Sequence, residues 1–210
     1  MTRYGHITWR VIAVVAFVGT AALAITLTRV PARPAHAALS SSLTLSPCAT
    51  SGLDAWLGLG TTGSVSIPDN GHHLQADSTY YTLEFTNISA RACSLYGYPE
   101  VSAYAGSQVA GTQIGSPATH DTAIRPRPVM LAPGATAHAV LRVIGTGQFQ
   151  PAACARVTAP ELRVMLPGQG LRDRPALVPI ALPACSKRGP KFLTVQAIQP
   201  RPGVPGFALP

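Results

Sequence analysis

His72 and His73 stand side by side in a polar stretch, with Asp69 and Asp77 close by and His120 and Asp121 further along. Imidazoles and carboxylates of this kind ligate zinc and other divalent cations. No spacing among them demands a metal, and a solvated polar loop is the stronger reading, so neither a metal ligand nor a cofactor is assigned. Acyl transfer needs a nucleophile on a positioned turn. There is no G-x-S-x-G, and Gly63-Ser64 and Gly106-Ser107 lack the strand–turn–helix context, so no catalytic residue is assigned. Asn87-Ile88-Ser89 fits a glycosylation sequon, but an Asn at a strand end also closes turns, and that reading is preferred. Tyr80, Tyr96, Tyr98 and Tyr104 fall in two neighbouring runs. They could form an aromatic platform for sugar or peptide; the expectation is that they straddle core and rim. Trp56, beside Leu57 and Leu59, is expected in the core, and His138 on a strand surface or as a capped core residue.

The remaining chemistry is that of Cys48, Cys93, Cys154 and Cys185. Their spacings of 45, 61 and 31 do not resemble the close pairs of zinc sites, and no CxxC redox motif exists. An even count in an exported chain reads as two disulfides. Three connectivities are possible. Position numbers of facing residues in an antiparallel pair have a constant sum. For Leu53–Leu59 against Tyr80–Ile88 the midpoints sum to 140, and Cys48 with Cys93 gives 141. For Leu162–Leu166 against Leu177–Leu182 the midpoints give about 343, and Cys154 with Cys185 gives 339. If consecutive strands are neighbours, the register selects Cys48–Cys93 and Cys154–Cys185.

The export signal lies at the N-terminus. Arg3 and Arg10 precede an apolar run from Val11 to Leu27; Pro31 and Pro34 follow, then Ala35-His36-Ala37. This is the three-part form of a secretory signal peptide, cleaved after Ala37 to leave Ala38 first. A retained membrane anchor through Val11 to Leu27 is the alternative, because that run is near the lower limit for spanning. Either way the rest of the chain is expected outside the cytoplasm, secreted or at the cell surface, or anchored to the cytoplasmic membrane facing outward.

The body reads as an all-β sandwich. Tyr81, Leu83 and Phe85 alternate with Thr82, Glu84 and Thr86, and Ala137, Ala139, Leu141 and Val143 alternate with His138, Val140, Arg142 and Ile144. With Leu53–Leu59, Ser94–Tyr104 (bent at Gly97 and Pro99), Val129–Leu131, Leu162–Leu166, Leu177–Leu182 and Phe192–Ile198, about eight strands are expected. Gly60–Ser78 reads as a long loop turning at Pro68-Asp69-Asn70-Gly71. Gly106–Arg127 reads as a second loop with a short strand at Thr112–Ile114. The expected organisation is a leader over 1–37, a tether over 38–47, a sandwich domain over 48–199 and a flexible Pro-rich tail over 200–210.

Composition narrows the function classes. Charged residues are only 11%, and Pro is scattered throughout, which disfavours helical bundles and coiled coils. Four of the sixteen basic residues precede residue 38, where no acidic residue lies; without that segment the formal charge falls from +8 to +4. The other basic residues are spread out, so the dense basic face of a nucleic-acid protein is missing and no nucleic-acid partner is expected.

Several pieces taken together resemble one family. They are Cys48; Tyr80-Tyr81-Thr82-Leu83-Glu84-Phe85-Thr86-Asn87-Ile88-Ser89; Cys93-Ser94-Leu95-Tyr96-Gly97-Tyr98-Pro99; Leu131-Ala132-Pro133-Gly134-Ala135-Thr136-Ala137; and Cys154 with Leu162-Arg163-Val164. The stretch from Cys48 to about Val195 resembles the exported actinobacterial family called domain of unknown function number 4232. The resemblance implies an immunoglobulin-like antiparallel β-sandwich at the cell envelope and supplies no catalytic residues. The resulting expectation is a non-catalytic binding or interaction module with an unidentified envelope or extracellular ligand. The alternative is an extracytoplasmic metal carrier or enzyme using His72, His73 and His120.

Overall fold

The computed structural model describes residues 45–69, 72–106, 111–170 and 173–203, with 64–69 and 72–75 described through their backbone alone. The expected leader, its cleavage residues Ala35, Ala37 and Ala38, the anchor run Val11 to Leu27 and the tether up to Thr44 lie outside the described residues. Among the described residues, no helix is long and apolar enough to cross a membrane.

The fold is almost entirely β. Its strands are β1 (Leu53–Leu57), β2 (Thr61–Asp69), β3 (His72–Asn87), β4 (Cys93–Leu95), β5 (Glu100–Ala105), β6 (Thr112–Ile114) and β7 (Thr119–Asp121). They continue as β8 (Val129–Leu131), β9 (Thr136–Ile144), β10 (Arg156–Met165), β11 (Ala176–Cys185), β12 (Leu193–Gln196) and β13 (Gln199–Pro200), and a single turn of helix, α1 (Pro151–Cys154), precedes β10. A seven-stranded sheet runs β1-β3-β9-β12-β7, with β2 also on β3 and β13 on β9. A four-stranded sheet runs β11-β10-β5-β6, and β4 pairs with β8. The pairing of β7 with β12 is parallel; the other strand pairs are antiparallel.

Period-two alternation sends one apolar set from each sheet inward. Leu83, Phe85, Ala139 and Leu141 of the large sheet share one core with Val101, Ala103, Leu162 and Val164 of the four-stranded sheet. Phe85 and Phe192 are its largest fully buried side chains, each contributing roughly 1.5–3 kcal/mol by burial. Disulfides join Cys48 to Cys93 and Cys154 to Cys185. The first ties the segment preceding β1 to β4, where Cys48 N–H also donates to the Ser94 carbonyl at 2.9 Å.

Four expectations change. Gly60–Ser78 is not a loop: β2 and β3 form a hairpin in continuous register from Thr61 opposite Tyr80 to Asp69 opposite His72. Only Asn70-Gly71 lie between the strands, the residue pair favoured in tight two-residue hairpins. The first strand ends at Leu57, leaving Leu59 82% exposed and Trp56, expected in the core, 48% exposed. Tethering stops short of Cys48, since Ser94 N–H donates to the Ser46 carbonyl at 3.0 Å. Finally, the segment expected to be a free tail from Pro200 is held at its start: Pro200 faces Ala137 across β13 and β9, and Gly203 N–H donates to Glu84 Oε1 at 2.9 Å. Residues 204–210 lie outside the described residues.

Candidate ligand-binding groove

On β5, Val101 and Ala103 point into the core, so Glu100, Ser102 and Tyr104 point away from it. On β10, Leu162 and Val164 are inward and Arg163 and Met165 outward. These outward side chains floor a groove of about 690 Å³. Gln113 of β6, Pro117 and His120 of β7 line it from the 106–127 segment, and Pro167–Gly170 with Asp173 line it from the β10–β11 connection. Thus the second expected loop, which carries two strands rather than one, supplies part of a recessed surface.

The groove is braced by rings and charge. Tyr98 and His120 are stacked, with centroids 4.4 Å apart and planes 9° from parallel. Tyr98 hydroxyl donates to the Ile124 carbonyl at 3.1 Å, which fixes the ring. The Arg163 guanidinium lies 3.9 Å over the Tyr104 ring, and its Nε donates to Glu161 Oε1 at 3.1 Å. The β10–β11 wall is held by Gln169 Nε2, which donates to the Cys48 carbonyl at 2.9 Å, and by Asp173 Oδ2, which accepts from Gly170 N–H at 2.7 Å. Aromatic faces beside amides and a carboxylate can bind a ligand that offers both apolar surface and hydrogen-bonding groups.

The other sequence candidates are scattered. Tyr98 and Tyr104 line the groove; Tyr96 is exposed, and Tyr80 is half-buried on the large sheet. His120 on β7 is separated from β3 by β12 and β9, a distance of roughly 14 Å by strand spacing, and His72 and His73 belong to the hairpin end of β3. Among the described residues, no group of three His, Cys, Asp or Glu is gathered. Asn87 makes the turn expected of it. Fully buried, it donates through Nδ2 to the carbonyls of Arg91 and Leu131 and accepts through Oδ1 from Ser89 N–H and Oγ. Sequence reasoning missed Glu100, Gln113 and Arg163 as groove residues. Alternation along β5 and β10 could have shown that they point outward; the pairing of β5 with both β10 and β6 is what brings them together.

No curated protein matches the chain, and no solved structure does. A family model described as "Domain of unknown function (DUF4232)" matches residues 48–199, well over half of the chain, and the chain belongs to that family.

Proposed function

We propose that the protein is an exported, non-catalytic binding module of an actinobacterial cell envelope, a disulfide-braced immunoglobulin-like sandwich that takes its ligand in the Tyr98–Tyr104–Arg163 groove. The observation that carries this reading is the groove itself: a stacked Tyr98–His120 pair and a Tyr104 ring covered by the Arg163 guanidinium, lining one recess of about 690 Å³. Export is supported by the leader-like N-terminus and by disulfides, which persist in oxidising compartments. The ligand is an envelope or extracellular component. Co-sedimentation of the purified chain with isolated envelope tests it. The parent should co-sediment, and a Tyr98→Ala/Tyr104→Ala variant with an unchanged melting profile should lose at least ten-fold in apparent affinity. Equal retention of parent and variant moves the site away from the groove.

A further inference from the structure

A second cluster of polar side chains lies on the face of the large sheet turned away from the core, separate from the groove. Trp56 on β1 is registered with Glu84 on β3, and Glu84 with His138 on β9, so the three side chains form one row across that face. Thr82 stands two residues from Glu84 on the same side. Beyond β13, residues 201–203 cross this row. His138 Nδ1 donates to the Arg201 carbonyl at 2.8 Å, and Gly203 N–H donates to Glu84 Oε1 at 2.9 Å. Both contacts are to backbone atoms of the segment.

The seated segment leaves a polar group unused. Glu84 is only 2% exposed, yet its Oε2 has no hydrogen-bond partner among the described residues. Buried acceptors without donors are costly. The space is also narrow. A Cβ on Gly203 would run into the Thr82 side chain and reach within 3.1 Å of Glu84 Oε1, and a Cβ on Gly58 would meet the Thr82 hydroxyl. The pocket therefore admits a main chain at a glycine, backbone first, and offers more hydrogen-bonding capacity than the chain's own segment uses.

We propose that this pocket is a binding site for an extended, glycine-bearing peptide, with residues 199–203 as its displaceable resident. A competing peptide gains over the resident by bringing a donor to Glu84 Oε2, and loses because the resident is tethered and so present at high effective concentration. Wild-type chain should therefore bind a resident-like peptide weakly, and a chain whose segment has been released should bind it well.

The test uses the full chain carrying Trp9→Phe, so that Trp56 is the sole tryptophan reporter. The probe is the peptide Gln-Pro-Arg-Pro-Gly-Val-Pro, with a Gly→Val version as control. Gly203→Val should raise amide exchange over 199–203 at least ten-fold. It should also bind the probe at least ten-fold more tightly than the parent, with a Trp56 emission shift, and ignore the control peptide. Gly203→Ala, whose Cβ meets the same Thr82 side chain and leaves the site itself unaltered, should move both readouts in the same direction, and it decides the matter if Gly203→Val does not fold. Raised exchange without probe binding overturns the site, as does unchanged exchange in a folded variant. A concentration-dependent dimer in place of probe binding also overturns it and makes a second copy the occupant.

Discussion

Asn87 and Leu131, 44 positions apart in the chain, are joined by a hydrogen bond from Asn87 Nδ2 to the Leu131 carbonyl at 3.0 Å. The bond ties the end of β3 to β8. With its partners at Arg91 and Ser89, Asn87 fills all the hydrogen-bonding positions of its amide inside a fully buried turn. Asn87→Ala should therefore destabilise the domain by about 2–4 kcal/mol, since it strands two carbonyls and opens a void. Chemical denaturation measures this; a loss below about 1 kcal/mol would mean the turn is held elsewhere.

Much of the sheet was legible because alternation and punctuation agreed. Thr136–Ile144 has the bounds expected of it. The β1–β3 register keeps the sum of 140 read from strand midpoints, from Leu53 opposite Asn87 to Leu57 opposite Leu83. For β10 and β11 the sum was off by two to three, because the strands begin or end well beyond the expected bounds, at Arg156 and Cys185, and a bulge between Ala159 and Glu161 adds a shift of one. Gly60–Ser78 was misread because polarity and Gly content outweighed the Asn70-Gly71 hairpin signal. Trp56 was misplaced because a five-residue strand gives too little alternation to choose a face. The groove was illegible for a different reason: it depends on β5 lying between β10 and β6, a long-range pairing that no local pattern encodes.

Burial pushes the Glu84 carboxyl above its ordinary 4.5, while the Gly203 N–H, His138 and the nearby Thr82 hydroxyl pull the other way with less effect. The native chain then holds this proton to higher pH than the unfolded chain does. Between 4.5 and the raised native value the native state binds more protons, so stability falls as pH rises through that window. Above it the cost of a buried carboxylate is fully present. Glu84→Gln removes the slope and should be more stable than the parent above the window, with the advantage shrinking below it. Melting temperature against pH for both proteins is the measurement; a difference that stays constant with pH contradicts the assignment.

Gly115 connects β6 to β7 at φ +64, and a Cβ there would collide with the Cys185 carbonyl and come within 3.0 Å of the Phe192 ring. Gly115→Ala should cost about 1–3 kcal/mol through backbone strain and the clash. It should also weaken ligand capture beyond that loss, because β6 and β7 carry Gln113 and His120 into the groove. Denaturation and envelope binding of the same variant check both parts.

The two disulfides close spans of 45 and 31 residues, each contributing about 2–4 kcal/mol by restricting the unfolded chain. Replacing either pair by Ser should lower stability by that amount, and replacing both should leave a chain that unfolds near ambient temperature. Thermal melts of the three variants test this; a double replacement that melts like the parent would show that the core alone holds the sandwich.

The central claim is that the Tyr98–Tyr104–Arg163 groove holds the ligand, and amide exchange of the full chain with and without isolated envelope measures it most directly. Slowed exchange is predicted in Glu100–Ala105, Thr112–Ile114 and the 167–170 turn, and it should be lost in the Tyr98→Ala/Tyr104→Ala variant. Protection confined to other strands, or protection of the groove that survives in the variant, would contradict the account.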